Sequence, residues 1–250
     1  MGFSDEVRSA FRRGENEVVV RMSEAEIARA RAAGDPAGEV EALYSLARVA
    51  IRGGDLPTGE KLAGQALEVA LDSGDRALEE RPRHMLAAVA RISGDLLRAR
   101  DLYRESIALN EALGNALTVN SEYHNLAFCE LKLGNIGAAR NLFTAGRDRV
   151  FHEGWTDFVP YVCLAYAALA SAEASLSTAS LPAVETDQER AAFLVGVTDA
   201  AFAALGQVPD PDDAADLALV RAAALEALGP TRFDEQHARG LTTAPRDALT

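Results

Sequence analysis

The sequence predicts an all-α solenoid, a stack of antiparallel helix pairs, and three observations predict it. Glycine recurs every twenty residues, at Gly14, Gly34, Gly54, Gly74, Gly94, Gly114, Gly134 and Gly154. From Gly34 to Gly134 the next residue is always Asp or Asn: Asp35, Asp55, Asp75, Asp95, Asn115 and Asn135. Between these points the chain is rich in Ala, Leu and Arg, which are good helix formers, and apolar residues recur at three- and four-residue steps. With Gly near 7% of an average protein, seven further hits at one offset have a chance probability of roughly 10⁻⁸, so the ladder is architectural. Gly ends a helix because it takes the left-handed conformation without a Cβ clash. Asp or Asn opens the next helix by capping its free N–H groups.

Each element follows from that ladder. Residues 1–34 read as an opening repeat, with a ragged first helix from Ser4 to Arg13 and a second from about Glu17 to Ala33. Helices of two kinds then alternate, so the true repeat is forty residues, and three regular repeats cover 37–154. Their first helices align as Leu46-Ala47, Leu86-Ala87 and Leu126-Ala127. Their second helices carry small residues at Gly59, Ala99 and Ala139, then Leu62, Leu102 and Leu142, then Ala63, Tyr103 and Phe143, then Ala66, Ser106 and Gly146. Small residues at fixed places let two helices approach closely. The ladder breaks at Ala174. A divergent fourth pair is expected over 157–206, with a longer Ser/Thr-rich connection at about Thr178 to Thr186 that contains Pro182. A capping helix is expected over 212–228, announced by Pro209, Asp210, Pro211, Asp212 and Asp213; terminal repeats of a solenoid need such a cap. Residues 1–228 thus form one array, and 229–250 a C-terminal tail with a short helix.

Composition narrows the function. The 250-residue chain has a formal net charge of −13, which argues against nucleic acid as a partner, since a nucleic-acid surface needs a basic field. Cys129 and Cys163 lie within apolar helical pattern and read as buried hydrophobes in a reducing compartment. The start MGFSDEVRSAFRRGENE has no apolar core of a signal peptide, Glu6 breaks the myristoylation pattern, and no uninterrupted apolar run approaches eighteen residues. The expectation is a cytoplasmic protein with no membrane contact.

Catalytic and metal motifs fare poorly. Gly54 to Lys61 nearly spells a phosphate loop, but Glu60 intrudes before the lysine, Leu62 replaces the magnesium-binding hydroxyl and no strand precedes it. His84, His124, His152 and His237 make no metal-ligand spacing, and His124 and Cys129 diverge by about 140° around a helix. Asp210, Asp212 and Asp213 lack the spacing and closing Glu of a calcium loop and read as helix capping. Neither an enzyme, a cofactor nor a metal is expected.

The forty-residue pattern, L-[GA]-x₆-G-[DN]-x₃-[AG]-x₂-L-[YFA]-x₂-[ASG], resembles the tetratricopeptide repeat. That family's usual period is 34, while HEAT and armadillo repeats run about 40 to 47. Here Gly74, Gly114 and Gly154 replace the proline usual near the end of the second helix, which resembles the longer-helix variant of large bacterial signalling ATPases. The Gly-[Asp/Asn] turn inside each pair favours the tetratricopeptide family over HEAT. The tail, Leu228, Gly229, Phe233, Gly240 and Ala248-Leu249, is similar to the ending L-G-x₃-F-x₆-G-x₇-A-L that closes the repeat domain of actinobacterial LuxR-type regulators and STAND ATPases. The resemblance implies a right-handed superhelical solenoid whose first helices line a concave groove.

Carried over by alignment, the groove positions are Glu41, Tyr44, Arg48, Ile51 and Arg52; Arg81, His84, Ala88, Arg91 and Ile92; and Ser121, His124, Phe128, Leu131 and Lys132. Five are Arg or Lys and one is acidic, a basic surface in an acidic chain. Asn125 stands where the family often holds a peptide backbone. The candidate site is therefore Tyr44, Arg48, Arg81, His84, Arg91, His124, Asn125, Phe128 and Lys132. The resemblance implies a regulatory or assembly adaptor that holds a protein or peptide segment, acidic in character, in that groove. The alternative is a sensor of a small molecule or peptide within a LuxR-type or STAND regulator.

Overall fold

The computed structural model describes residues 2–176 and 181–249. Every regular element among the described residues is helical. The chain divides into two compact units, Met1–Leu126 and Ala127–Thr250.

The first unit holds α1 (Phe3–Arg12), α2 (Asn16–Ala33), α3 (Pro36–Arg52), α4 (Leu56–Ser73), α5 (Glu80–Ile92), α6 (Leu96–Leu113) and the first part of α7 (Ala116–Lys132). Each helix from α1 to α5 packs on its successor, while α1 meets α3 and α3 meets α5. This is the neighbour pattern of stacked helix pairs. The second unit continues with α8 (Ile136–Glu153), α9 (Val159–Leu176), α10 (Leu181–Leu205), α11 (Pro211–Leu241) and α12 (Pro245–Ala248). Here α8 packs on α9, α9 on α10, and α11 on both α9 and α10. Short 3₁₀ turns, Arg76–Glu79 and Thr156–Phe158, lead into α5 and α9.

All eight ladder glycines have positive φ, from 64° at Gly34 to 88° at Gly94, which is the left-handed region that side chains disfavour. The Asp and Asn that follow them divide by chemistry. Asp35, Asp55, Asp75 and Asp95 accept hydrogen bonds from the backbone N–H of Gly38, Thr58, Ala77 and Arg98. Asn135 makes no such cap; its Nδ2 donates back to Glu130 Oε2 at 2.7 Å. Asn115 likewise donates to Asn110 Oδ1 at 3.2 Å. The amide can donate where a carboxylate cannot, so the asparagines fasten a turn to the preceding helix.

Small residues sit where the helices touch. A Cβ on Gly59 would lie 2.5 Å from Ile51 Cγ1, and the equivalent Ala99 and Ala139 are fully buried. In the second unit the closest approach is between α10 and α11. There a Cβ on Gly196 would run into the backbone carbonyl of His237, and one on Gly240 into that of Phe193.

That crossing explains the tail motif. Helix α11 is broken at Gly229 (φ 72°, ψ 165°), with Pro230 next, so the expected capping helix ends near Leu228 but is followed at once by a second helical segment. Phe233, Ala248 and Leu249 are buried in the same core as Leu194, Val195 and Val197. The connection expected at Thr178 to Thr186 is shorter, since α10 begins at Leu181; residues 178–180 lie outside the described residues.

Among the described residues one stretch, Thr156–Ser175, is long and apolar enough by length and composition to cross a membrane, and 61% of its window is buried within the protein. Its residues Val162, Cys163, Leu164 and Ala165 belong to the second unit's core. A helix surrounded by others is apolar all round, which a search for an uninterrupted apolar run does not detect.

Candidate functional site

The expected groove residues of the first unit come from α3, α5 and α7, one forty-residue step apart. Alternating aromatic rings and guanidinium groups order the α3 side. Arg48 Cζ stands 3.7 Å from the Phe11 ring centroid and 5.5 Å from that of Tyr44, and Arg81 Cζ stands 5.2 Å from Tyr44. Arg52 covers Phe11 at 3.4 Å and donates to its backbone oxygen at 2.6 Å. Such cation–π contacts fix a planar cation without neutralising it.

Carboxylates from three helices hold the cations from behind. Arg81 grips Glu41 through Nη1 and Nε, both at 3.0 Å. His84 Nδ1 lies 3.1 Å from both oxygens of Glu122, and Ser106 Oγ donates to Glu122 Oε1 at 2.6 Å. Burial lowers the pKa of His84, but the charge and hydrogen bond of Glu122 outweigh it, helped by Tyr44 and Glu80, and the pKa is pushed up to about 10. His84 is therefore an imidazolium at neutral pH, donating from Nδ1. Burial raises the pKa of Glu80, against the opposing charges of Arg81 and His84. The face is an ion-pair lattice rather than the bare basic surface that the aligned positions suggest.

The nine expected residues separate into four groups. Arg48, Arg81, His84 and His124 are half-buried and sit near the surface. Tyr44 is 9% exposed and forms the floor between two arginines. Arg91 and Asn125 are 1% and 4% exposed and face each other, Arg91 Nη1 donating to Asn125 Oδ1 at 2.7 Å. They are core partners, so Asn125 does not stand ready for a ligand backbone. Phe128 and Lys132 belong to the second unit. Phe128 is fully buried against Phe143 at 5.1 Å, and Lys132 is paired with buried Asp216 at 2.5 Å.

Glu122, Glu80 and Ser106 were not among the expected residues. A signal for Glu122 exists in the repeat: the positions forty and eighty residues earlier, Pro82 and Ala42, are both buried. A carboxylate in a core register requires a partner, and His84 is the nearest cation in the aligned helices. The same register exposes Arg91, which takes the place of buried Ile51.

Elsewhere the remaining motifs resolve into structure. Gly54 to Lys61 forms a turn and the first residues of α4, with Asp55 capping Thr58. Asp210 makes no side-chain cap on α11; Tyr161 Oη donates to it at 3.4 Å. His237 Nε2 lies 2.7 Å from Asp199, which also accepts from Arg221 at 2.6 Å. Among the described residues no group of three or more His, Cys, Asp or Glu is placed to hold a metal ion.

No protein-family profile matches the chain, and no curated protein matches it. Among solved structures it is similar to BtubC (BKLC) from P. vanneervenii, with a TM-score of 0.57 and 18% identity over 94% of this chain and 92% of that one. At that identity the likeness is one of fold: the chain has an all-α, helical-repeat architecture.

Proposed function

We propose that the chain is a tetratricopeptide-like binding module of the cytoplasm, which holds an acidic or carboxylate-bearing protein segment against the α3–α5–α7 face of its first unit. One observation carries the reading. Arg81 and His84 lie one helical turn apart on α5, each anchored from behind by a carboxylate, and each keeps a donor outside that anchor. Arg81 uses Nη1 and Nε for Glu41, leaving Nη2. His84 uses Nδ1 for Glu122, leaving Nε2. Their side chains are 30% and 22% exposed. Two preorganised cationic donors suit a carboxylate, because the side-chain entropy of holding them is already spent in the folded protein. Affinity purification with mass spectrometry identifies a partner, and calorimetry with its segment then tests the site. Arg81→Gln with His84→Gln should weaken binding at least tenfold, and affinity should fall as salt rises. Binding indifferent to both would remove the reading.

The tail favours a second reading. Gly229, Phe233, Gly240 and Leu249 work together to close the second unit's core, in keeping with the resemblance to the repeat domains of LuxR-type and STAND regulators. A sensor of that kind would compact on binding a small molecule or peptide, a change that solution scattering would detect.

A further inference from the structure

One carboxylate on the α5 face lacks the bonds that hold its neighbours. Glu80 precedes His84 by four residues and so shares its side of the helix. Its side chain is 20% exposed, and its ion-pair contact is with Arg81 Nε, 3.9 Å from Oε2, too long for a hydrogen bond. That nitrogen already serves Glu41 at 3.0 Å. Glu41 takes two bonds from Arg81, and Glu122 is held by His84 and by Ser106. Three carboxylates thus face two cations, which leaves one negative charge uncompensated. The charges that act on Glu80 are Arg81 and His84 on α5, Glu122 of α7 and Glu41 of α3, with Tyr44 of α3 acting on His84. On the other elements packed against α5, Glu79 of the preceding 3₁₀ turn and Glu105 of α6 pair with Arg83, and Glu60 of α4 with Arg98.

We propose that Glu80 couples binding at this face to the uptake of a proton. The inference rests on the carboxylate-binding role of Arg81 and His84. A carboxylate docked on those two donors adds a second uncompensated negative charge, and like charges crowded in a half-buried site drive one carboxyl to protonate. Glu80 is that carboxyl, because Glu41 and Glu122 would have to give up hydrogen bonds and Glu80 gives up none. The proton comes from solvent. It converts Glu80 from an acceptor that repels the docked carboxylate into a hydroxyl donor that can bond to it. Burial already raises the pKa of Glu80, against the opposing charges of Arg81 and His84, and the docked charge raises it further. A group that holds its proton more tightly in the occupied site makes affinity rise as pH falls through the occupied-state pKa, and the gain levels off below the free-state one. His84, with its pKa at about 10, stays charged across that window. The face therefore binds tighter in mild acid, although its cations do not change.

The test uses the full chain and acetyl-Asp-Asp-Asp with a free C-terminus, a probe whose carboxylates stay ionised from about pH 5.5 to about pH 8. Calorimetry in two buffers of different ionisation enthalpy counts the protons taken up. Wild type should bind about tenfold tighter at the lower pH, the equivalent of about one pKa unit between free and occupied Glu80, with net uptake of protons on binding. Glu80→Gln keeps the shape of the neutral acid. At about pH 8 it should bind about tenfold tighter than wild type and lose the uptake, with unchanged circular dichroism. A residue that only supported the fold would weaken binding when changed. Binding that requires Arg81 and His84 but takes up no proton, or that Glu80→Gln weakens, would overturn this inference and leave the carboxylate site standing. Uptake that persists in Glu80→Gln and disappears in His124→Gln would overturn it as well. No binding of the probe at any pH, or binding that ignores Arg81→Gln with His84→Gln, would remove the site and this inference together.

Discussion

Raising the pH from 6 to 10 should destabilise the first unit through one residue, His84. Its pKa stands at about 10 against 6.5 for an unconstrained imidazole. The folded state thus holds the proton more tightly than the unfolded chain. The pair's contribution is fully present below pH 6.5, declines between 6.5 and 10, and is lost above. At about 1.4 kcal/mol per pKa unit the gap corresponds to at most about 5 kcal/mol; screening through the side chain's 22% exposure brings this to roughly 2–4 kcal/mol. The groups facing His84 are Glu122 on α7, Tyr44 on α3, Glu80 on its own helix and the Tyr103 ring of α6 at 6.3 Å. The informative quantity is the difference between wild type and a variant without the imidazole. Urea denaturation of wild type and His84→Gln at pH 6, 8 and 9.5 should show a stability gap that narrows steadily with pH. Imidazole proton resonances should place the His84 midpoint far above 6.5, the value of an unconstrained imidazole. A gap constant across this range, or a midpoint near 6.5, would refute the assignment of Glu122 as the dominant partner.

Other expectations concern the scaffold. Gly134→Val should lower stability by about 1–3 kcal/mol, a pure backbone effect because φ is 82° and no atom lies within 4 Å of the added Cβ; a melting temperature unchanged within a degree would contradict it. Gly240→Ala should be far more damaging, since the added methyl meets backbone of α10 rather than a movable side chain, and native-like melting of this variant would refute the close crossing. Cys163, buried and with its thiol pKa pushed up to about 12, should resist iodoacetamide at pH 8 in the native protein and react after denaturation; rapid native alkylation would show that the core opens.

The fold was legible because its punctuation is chemically exclusive. A turn that needs positive φ selects Gly, and it does so at each of eight places, so the turns could be placed from the residues alone. Helix identity survives at Gly59, Ala99 and Ala139 for a similar reason, since only small residues fit the contact. The site was legible only in part. Alignment brought Tyr44, Arg48, Arg81 and His84 to one face, because that requires only periodicity. It could not show that Arg91 and Asn125 satisfy each other in the core, because burial of a polar group depends on which partner reaches it from another helix. Glu122 escaped notice for that reason, although its register with Ala42 and Pro82 marks a core position. The close α10–α11 crossing was likewise hidden, since Gly196 and Gly240 lie far apart in sequence and follow no period.

The central claim is that the anchored pair on α5 recognises a carboxylate. The most direct test is selection of a random peptide library with free C-termini on the immobilised full chain. The account predicts enrichment of acidic residues next to the terminal carboxylate, lost when Arg81→Gln and His84→Gln are combined and when salt is raised. Enrichment of apolar or basic sequences, or an acidic preference that survives both changes, would contradict it.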